Sequence, residues 1–219
     1  MKLIDVLLLP KKLFANLSDK KWTLYLGIFF VGAVDIYVYI YENYKVLFLD
    51  KSTAGLISVL AAALIMLVVV GVLDVFLFSY PIYDFCEFLK KKFSKDDSER
   101  DGIFPDSGNA SVIKVMKVYI IAHIPILPLG LFSNYIYFKI SPEELTPMII
   151  MFLIIIYGII QIWFNGIIAY GVSTMYNARF DFSIVLFLTI FVWSYLEGIA
   201  IEYIINNWLL KLILQFSGV

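Results

Sequence analysis

The chain has 219 residues, of which 62% are hydrophobic and 16% are charged, and its mean hydropathy is +0.89. Soluble domains carry about 25% charged residues, so this composition excludes an ordinary soluble domain and indicates a polytopic membrane protein. The net charge of -1 argues against a nucleic-acid surface, which needs a basic excess to hold phosphates. The single cysteine, Cys86, excludes an internal disulfide and a metal site built from cysteines.

The N-terminal segment, residues 1–21, predicts an amphipathic helix that lies on the membrane surface. From Pro10, a favourable first helical residue, Leu13, Phe14 and Leu17 fall on one face, and lysines flank that face. A cleaved signal peptide is the competing interpretation. The apolar run is short for one, contains Asp5 and lacks a small-residue cleavage site.

Five apolar stretches are long enough to cross a bilayer, which needs roughly 20 helical residues. The predicted spans are about 22–41, 55–80, 113–138, 147–173 and 182–205. Residues 81–112 are predicted to be a solvated loop with one short surface helix, too short for a domain with its own core, and residues 206–219 an external tail. The sequence therefore predicts an all-α membrane protein of five transmembrane helices with an N-terminal amphipathic interfacial helix.

The lysines and arginines set the expected orientation. Thirteen of the 17 fall on the side of the N-terminus if all five stretches cross. The positive-inside rule then places the N-terminus in the cytoplasm and the C-terminus outside. We expect a cell membrane of the bacterial inner-membrane type.

Several short patterns resemble the Yip1 family. Pro10, Phe14 and Leu17 form a P-x-x-x-F-x-x-L pattern just before Trp22 and the first span. The HIPILPLG run of span three, the WFNGIIAYGVS run of span four and the five-span layout are also similar to that family. The chain lacks the Asp-Leu-Tyr-Gly-Pro signature and the long N-terminal region of eukaryotic members, so it resembles a short bacterial-type member. The resemblance implies a membrane scaffold or trafficking-type factor and supplies no catalytic residues.

Ionisable side chains within the spans are the candidate functional residues, because each costs about 2.5–3.5 kcal/mol on insertion scales. Asp35 and Glu197 are predicted at similar depth, which fits a proton or cation site, or two acids bonded to neighbouring helices. Pro125 and Pro128 should kink or locally unwind span three. A carbonyl that they free is the expected partner of His123.

Asp74 is expected near the cytoplasmic end of the second span, where Lys114 or Lys117 could pair with it. The lone histidine makes a poor metal site unless Asp35, Asp74 or Glu197 converges on it. No metal and no other cofactor is therefore predicted.

Two rows of polar and small side chains follow spans four and five. We expect both rows to face the bundle interior, where such side chains hold helices together or line a path. The rows are Tyr157, Gln161, Asn165, Ala169 and Ser173 on span four, and Ser194, Gly198 and Glu202 on span five.

The sequence leaves two functional hypotheses. No hydrolase, metalloprotease or Walker-type motif occurs, so we expect no enzymatic activity. The leading hypothesis is a scaffold that binds lipids or membrane proteins, including a second copy of itself. The alternative is a small proton- or cation-coupled permease that uses the intramembrane polar residues. Only the permease requires those groups to converge on one cavity.

Overall fold

A computed structural model describes residues 9–49, 51–93, 110–140, 146–209, 211–212 and 215. These residues form an all-helical fold, and five of its helices are long and apolar enough to cross a membrane, which confirms the predicted five-span architecture. The helices are α1 (Lys11–Ala15), α2 (Lys21–Glu42), α3 (Tyr44–Phe48), α4 (Thr53–Phe93), α5 (Val112–Lys139), α6 (Pro147–Met175) and α7 (Phe180–Ile204), which continues into a π-helical turn, Ile205–Leu209.

The five long helices α2, α4, α5, α6 and α7 alternate in direction. The start of α2 contacts the start of α5, where Lys117 Nζ donates to the carbonyl of Lys20 at 2.8 Å. Near the far ends of the same two helices, Asn134 bonds the Tyr37 hydroxyl. We call the end of the bundle where α2 begins the lysine-rich end, and the other the opposite end.

The second span was predicted to end near residue 80, before a loop with one short surface helix. This end is wrong, because α4 is 41 residues long and continues through Pro81. Proline has no N–H to donate to the carbonyl four residues back, here that of Leu77. Trp193 Nε1 of α7 donates to this carbonyl instead, at 3.2 Å. Beyond the proline, Ile82 and Cys86 are buried in the main core, so packing keeps this part of α4 helical.

The last turns of α4 are held against the end of α6. The hydroxyl of Tyr176, which follows α6 directly, donates to Glu87 Oε1 at 3.1 Å. Burial raises the pKa of Tyr176, so its hydroxyl stays a neutral donor.

The N-terminal segment also packs on α6. Within its described residues, 9–20, the helical part is the five-residue helix α1, whose Phe14 is 1% exposed. The Phe14 ring contacts Tyr170 edge-on, with 6.1 Å between ring centroids. A Cβ on Gly171 would lie 2.9 Å from the same ring, so the glycine leaves the space that Phe14 fills.

Two lysines of α5 have partners other than the predicted one. Lys114 Nζ lies 3.8 Å from Asp19, and Lys117 bonds the carbonyls of Ser18 and Lys20. Both fasten the start of α5 to the segment before α2. The predicted pairing of these lysines with Asp74 is therefore wrong.

The two prolines of α5 do not interrupt it. The helix runs from Val112 to Lys139 with Pro125 and Pro128 inside it, so the expected local unwinding is absent from this described segment.

Candidate functional site

Two Gly-x-x-Asp segments bring an acid from α2 and an acid from α4 to one place. Gly32 and Gly71 face each other so closely that a Cβ on Gly32 would lie 2.9 Å from the backbone nitrogen of Gly71. Residues three apart share a helix face, so Asp35 and Asp74 lie along the same contact. Asp74 is only 4% exposed and lies inside the bundle.

His123 of α5 is held by its own helix. Its Nδ1 lies 2.9 Å from the carbonyl oxygen of Tyr119. Because a carbonyl only accepts, Nδ1 carries the hydrogen and Nε2 keeps the lone pair. The carbonyls that the prolines leave belong to Ile121 and Ile124, four residues before each proline. A carbonyl partner was predicted correctly, but it is not one that a proline frees.

The three side chains meet near the middle of the bundle. One carboxylate oxygen from each of Asp35 and Asp74 and one ring nitrogen of His123 all lie within 4.8 Å of one another. The Tyr119 hydroxyl donates to Asp74 Oδ2 at 2.9 Å. Asp35 Oδ2 is a buried atom with no hydrogen-bond partner among the described residues.

Glu197 of α7 adds a third carboxyl group. Its side chain is 6% exposed and lies within hydrogen-bond reach of Asp74. Its Oε1 is buried and has no hydrogen-bond partner in the described parts of the chain. Two carboxylates within hydrogen-bond reach repel each other, so either a shared proton or a bound cation must offset their charge.

One cavity of about 370 Å³ joins these groups. Asp35, Asp74, His123 and Glu197 all line it, and no lysine or arginine is among its described lining residues. A second cavity, of about 320 Å³, lies beside it between α6 and α7. The two share Gln161, Ser194, Gly198 and Glu202.

The row predicted on span four is interior over part of its length. Asn165, Ala169 and Ser173 are buried, which confirms the prediction for them. Tyr157 is 43% exposed, so the prediction is wrong for it. Gln161 is exposed but lines both cavities, and its carbonyl accepts from Asn165 Nδ2 at 2.8 Å. The span-five row, Ser194, Gly198 and Glu202, lines the second cavity as well. Gly198 and Glu202 are exposed, so the prediction that this row faces the interior is wrong for them.

Aromatic rings close the main cavity on the side of the lysine-rich end. Phe78 stacks on Tyr119 with 4.1 Å between centroids, and Phe164 meets His123 edge-on at 4.8 Å. In the other direction, Tyr39 and Ile205 line the cavity toward the opposite end. The side of the cavity between α6 and α7 is lined by the exposed residues Gln161, Gly198 and Glu202.

Comparisons with protein-family models, curated proteins and solved structures find no match to this chain. The resemblance to the Yip1 family has no support from them and stays a prediction. The geometry and chemistry of the site are therefore the guide to function.

Proposed function

We propose that this chain is a small multi-pass membrane permease whose transport is coupled to a cation held by the central acids. The observation that carries the proposal is the convergence of Asp35, Asp74 and Glu197 on one cavity. Acids inside a transmembrane bundle are costly, and they mark ion and substrate pathways. A permease requires these acids to converge on one cavity and a scaffold does not, so their convergence supports the permease.

The proposed orientation follows the positive-inside rule. The lysine-rich end faces the cytoplasm, with the N-terminal segment as an amphipathic helix on that membrane surface. The C-terminus and the opposite end of the bundle face outside. A cation then enters from outside and meets the acids, and the rings of Phe78 and Tyr119 lie between it and the cytoplasmic side.

Charge movement on cation binding tests this function without knowledge of the transported substrate. Purified protein in liposomes is adsorbed on a solid-supported membrane, and jumps in Na⁺, K⁺, H⁺, Mn²⁺ or Zn²⁺ concentration are applied in turn. We expect at least one cation to evoke a protein-dependent current. The current should disappear in Asp35→Asn and Glu197→Gln and persist in Glu42→Gln, an exposed acid at the end of α2.

The scaffold predicted from the sequence stays a prediction. It becomes the better explanation if none of these cations evokes a current in well-folded wild-type protein. Purification from the native membrane in mild detergent would then show a stoichiometric protein or lipid partner. That partner should be retained by the Glu197→Gln variant, because a scaffold has no need of the buried acid.

A further inference from the structure

The central cavity holds the elements of a metal site. Asp35, Asp74 and His123 come from three different helices, and one potential ligand atom of each lies within 4.8 Å of the other two. Glu197, from a fourth helix, lines the same cavity with an unpartnered Oε1. From the sequence, a metal was not expected because no acid was known to converge on His123. In the structure Asp35 and Asp74 do converge on it.

We infer that Asp35, Asp74 and His123 bind one divalent transition-metal ion in the middle of the bundle, with the Glu197 carboxyl beside it for a fourth position. This inference rests on the proposed cation-coupled function, whose cation it names. Its test measures binding alone, so the two ideas can fail separately.

The charges around the cavity favour a divalent ion. The carboxylates of Asp35 and Asp74 together balance two positive charges. The described lining residues include neither lysine nor arginine, so no side chain of the cavity supplies that charge. Buried charges in proteins are paired or coordinate metals. A bound M²⁺ ion would balance the charge of these two carboxylates and would give the free oxygens of Asp35 and Glu197 a partner.

The imidazole favours a transition metal over Na⁺, Ca²⁺ or Mg²⁺. Carboxylates suit hard cations, whereas an imidazole nitrogen suits zinc, iron, copper and nickel. Metal-binding histidines almost always donate their other N–H to a carboxylate, a carbonyl or water. The contact between His123 Nδ1 and the Tyr119 carbonyl is of this kind, and it would leave Nε2 as the nitrogen that binds the metal.

A second oriented contact supports the ligand role of Asp74. Metal-binding carboxylates are themselves hydrogen-bonded, and the Tyr119 hydroxyl donates to Asp74 at 2.9 Å. One residue of α5 therefore orients two of the proposed ligands, through its carbonyl and through its hydroxyl. A tetrahedral ion with bonds of about 2.0–2.1 Å separates its ligand atoms by about 3.4 Å, so modest side-chain rotations bring these groups onto one ion.

Equilibrium dialysis of detergent-purified full-length protein tests the inference. The protein is stripped with a chelator and dialysed against Zn²⁺, with Ca²⁺ as the comparison, and retained metal is counted per chain. We expect about one Zn²⁺ per wild-type chain and no retained Ca²⁺. Asp35→Asn, Asp74→Asn and His123→Gln should lose the metal, and Glu42→Gln should keep it. Tyr119→Phe should weaken binding by about 10–100-fold, as loss of an outer-shell partner typically does.

Wild-type protein that retains no Zn²⁺ would overturn the inference, and so would well-folded ligand variants that bind Zn²⁺ like the wild type. If the variants do not fold, titration of the wild-type protein with Co²⁺ tests the inference instead. Four-coordinate Co²⁺ at the site would give visible absorption, and Zn²⁺ should remove that absorption by displacing the Co²⁺. Absence of that absorption would also overturn the inference. Metal binding without any cation-evoked current would retain the site and remove the permease. Currents evoked by Na⁺ or H⁺ without metal binding would remove the metal site and retain the permease.

Discussion

The close contact between α2 and α4 should be intolerant of a single added methyl group. A Cβ on Gly32 would collide with the carbonyl oxygen of Leu67 and would lie 2.9 Å from the backbone nitrogen of Gly71. These are backbone atoms, so no side-chain rotation relieves the overlap. The helices must move apart by about 1 Å, and overpacking of this kind costs about 1–3 kcal/mol. For a chain of this size, 1 kcal/mol corresponds to about 2–4 °C in Tm, so Gly32→Ala should melt roughly 2–12 °C lower.

The assay is thermal melting in mild detergent, followed by size-exclusion chromatography. Gly158→Ala is the matched control, because a Cβ on Gly158 of α6 meets nothing within 4 Å. Alanine is favoured over glycine within a helix by about 0.5–1 kcal/mol, so the control should melt at or slightly above the wild-type temperature. The Gly32→Ala variant should also bind metal more weakly, since Asp35 moves with α2. Equal melting temperatures for Gly32→Ala and Gly158→Ala would refute this account of the α2–α4 contact.

Two further predictions concern the contacts that keep α4 helical, and the same melting assay tests both. Trp193→Phe leaves the Leu77 carbonyl without its donor and should cost about 1–3 kcal/mol. In a Pro81→Ala background the restored backbone N–H can donate to that carbonyl, so Trp193→Phe should destabilise the protein less. An equal loss of stability in both backgrounds would show that the indole does not replace the donor that Pro81 lacks. Tyr176→Phe removes the bond to Glu87 and should cost about 0.5–1.5 kcal/mol, whereas wild-type stability would show that this contact is unimportant.

The spans were predictable because their physical signal is strong. A bilayer-length run of apolar residues is rare in soluble proteins, and the run from Pro147 to Met175 forms a single helix as expected. The end of α4 was not predictable in the same way. Proline usually ends a helix, and only the tertiary contact with Trp193 reveals what replaces the missing donor at Pro81.

The same missed extension explains the misplacement of Asp74. A span that ends near residue 80 puts Asp74 close to the membrane surface, within reach of lysines. In the structure α4 continues to Phe93, about 29 Å beyond Asp74 at 1.5 Å per residue, so this acid lies deep in the bundle. The repeated Gly-x-x-Asp pattern at Gly32 and Gly71 was the available signal. Two small residues that each precede an acid by three positions predict a close helix pair with both acids along it.

The participation of Tyr119 could not be predicted from the sequence. Its hydroxyl reaches Asp74, 45 positions earlier in the chain, and such a pairing follows from how α4 and α5 pack. Asp35, His123 and Glu197 were identified because an ionisable residue within a span needs a partner or a function. Which of them meet depends on helix rotation, and spacing in the sequence does not determine it.

X-ray absorption at the zinc edge of Zn²⁺-loaded wild-type protein tests the central claim most directly, because it reports the atoms bound to the ion. The account predicts a first shell of nitrogen and oxygen at about 2.0–2.2 Å, with the outer-shell scattering of one imidazole, that of His123. A sulfur shell at about 2.3 Å would place the ion at Cys86, and a shell without imidazole would exclude His123. Either result would contradict a cation site built from the acids of α2 and α4 and the histidine of α5.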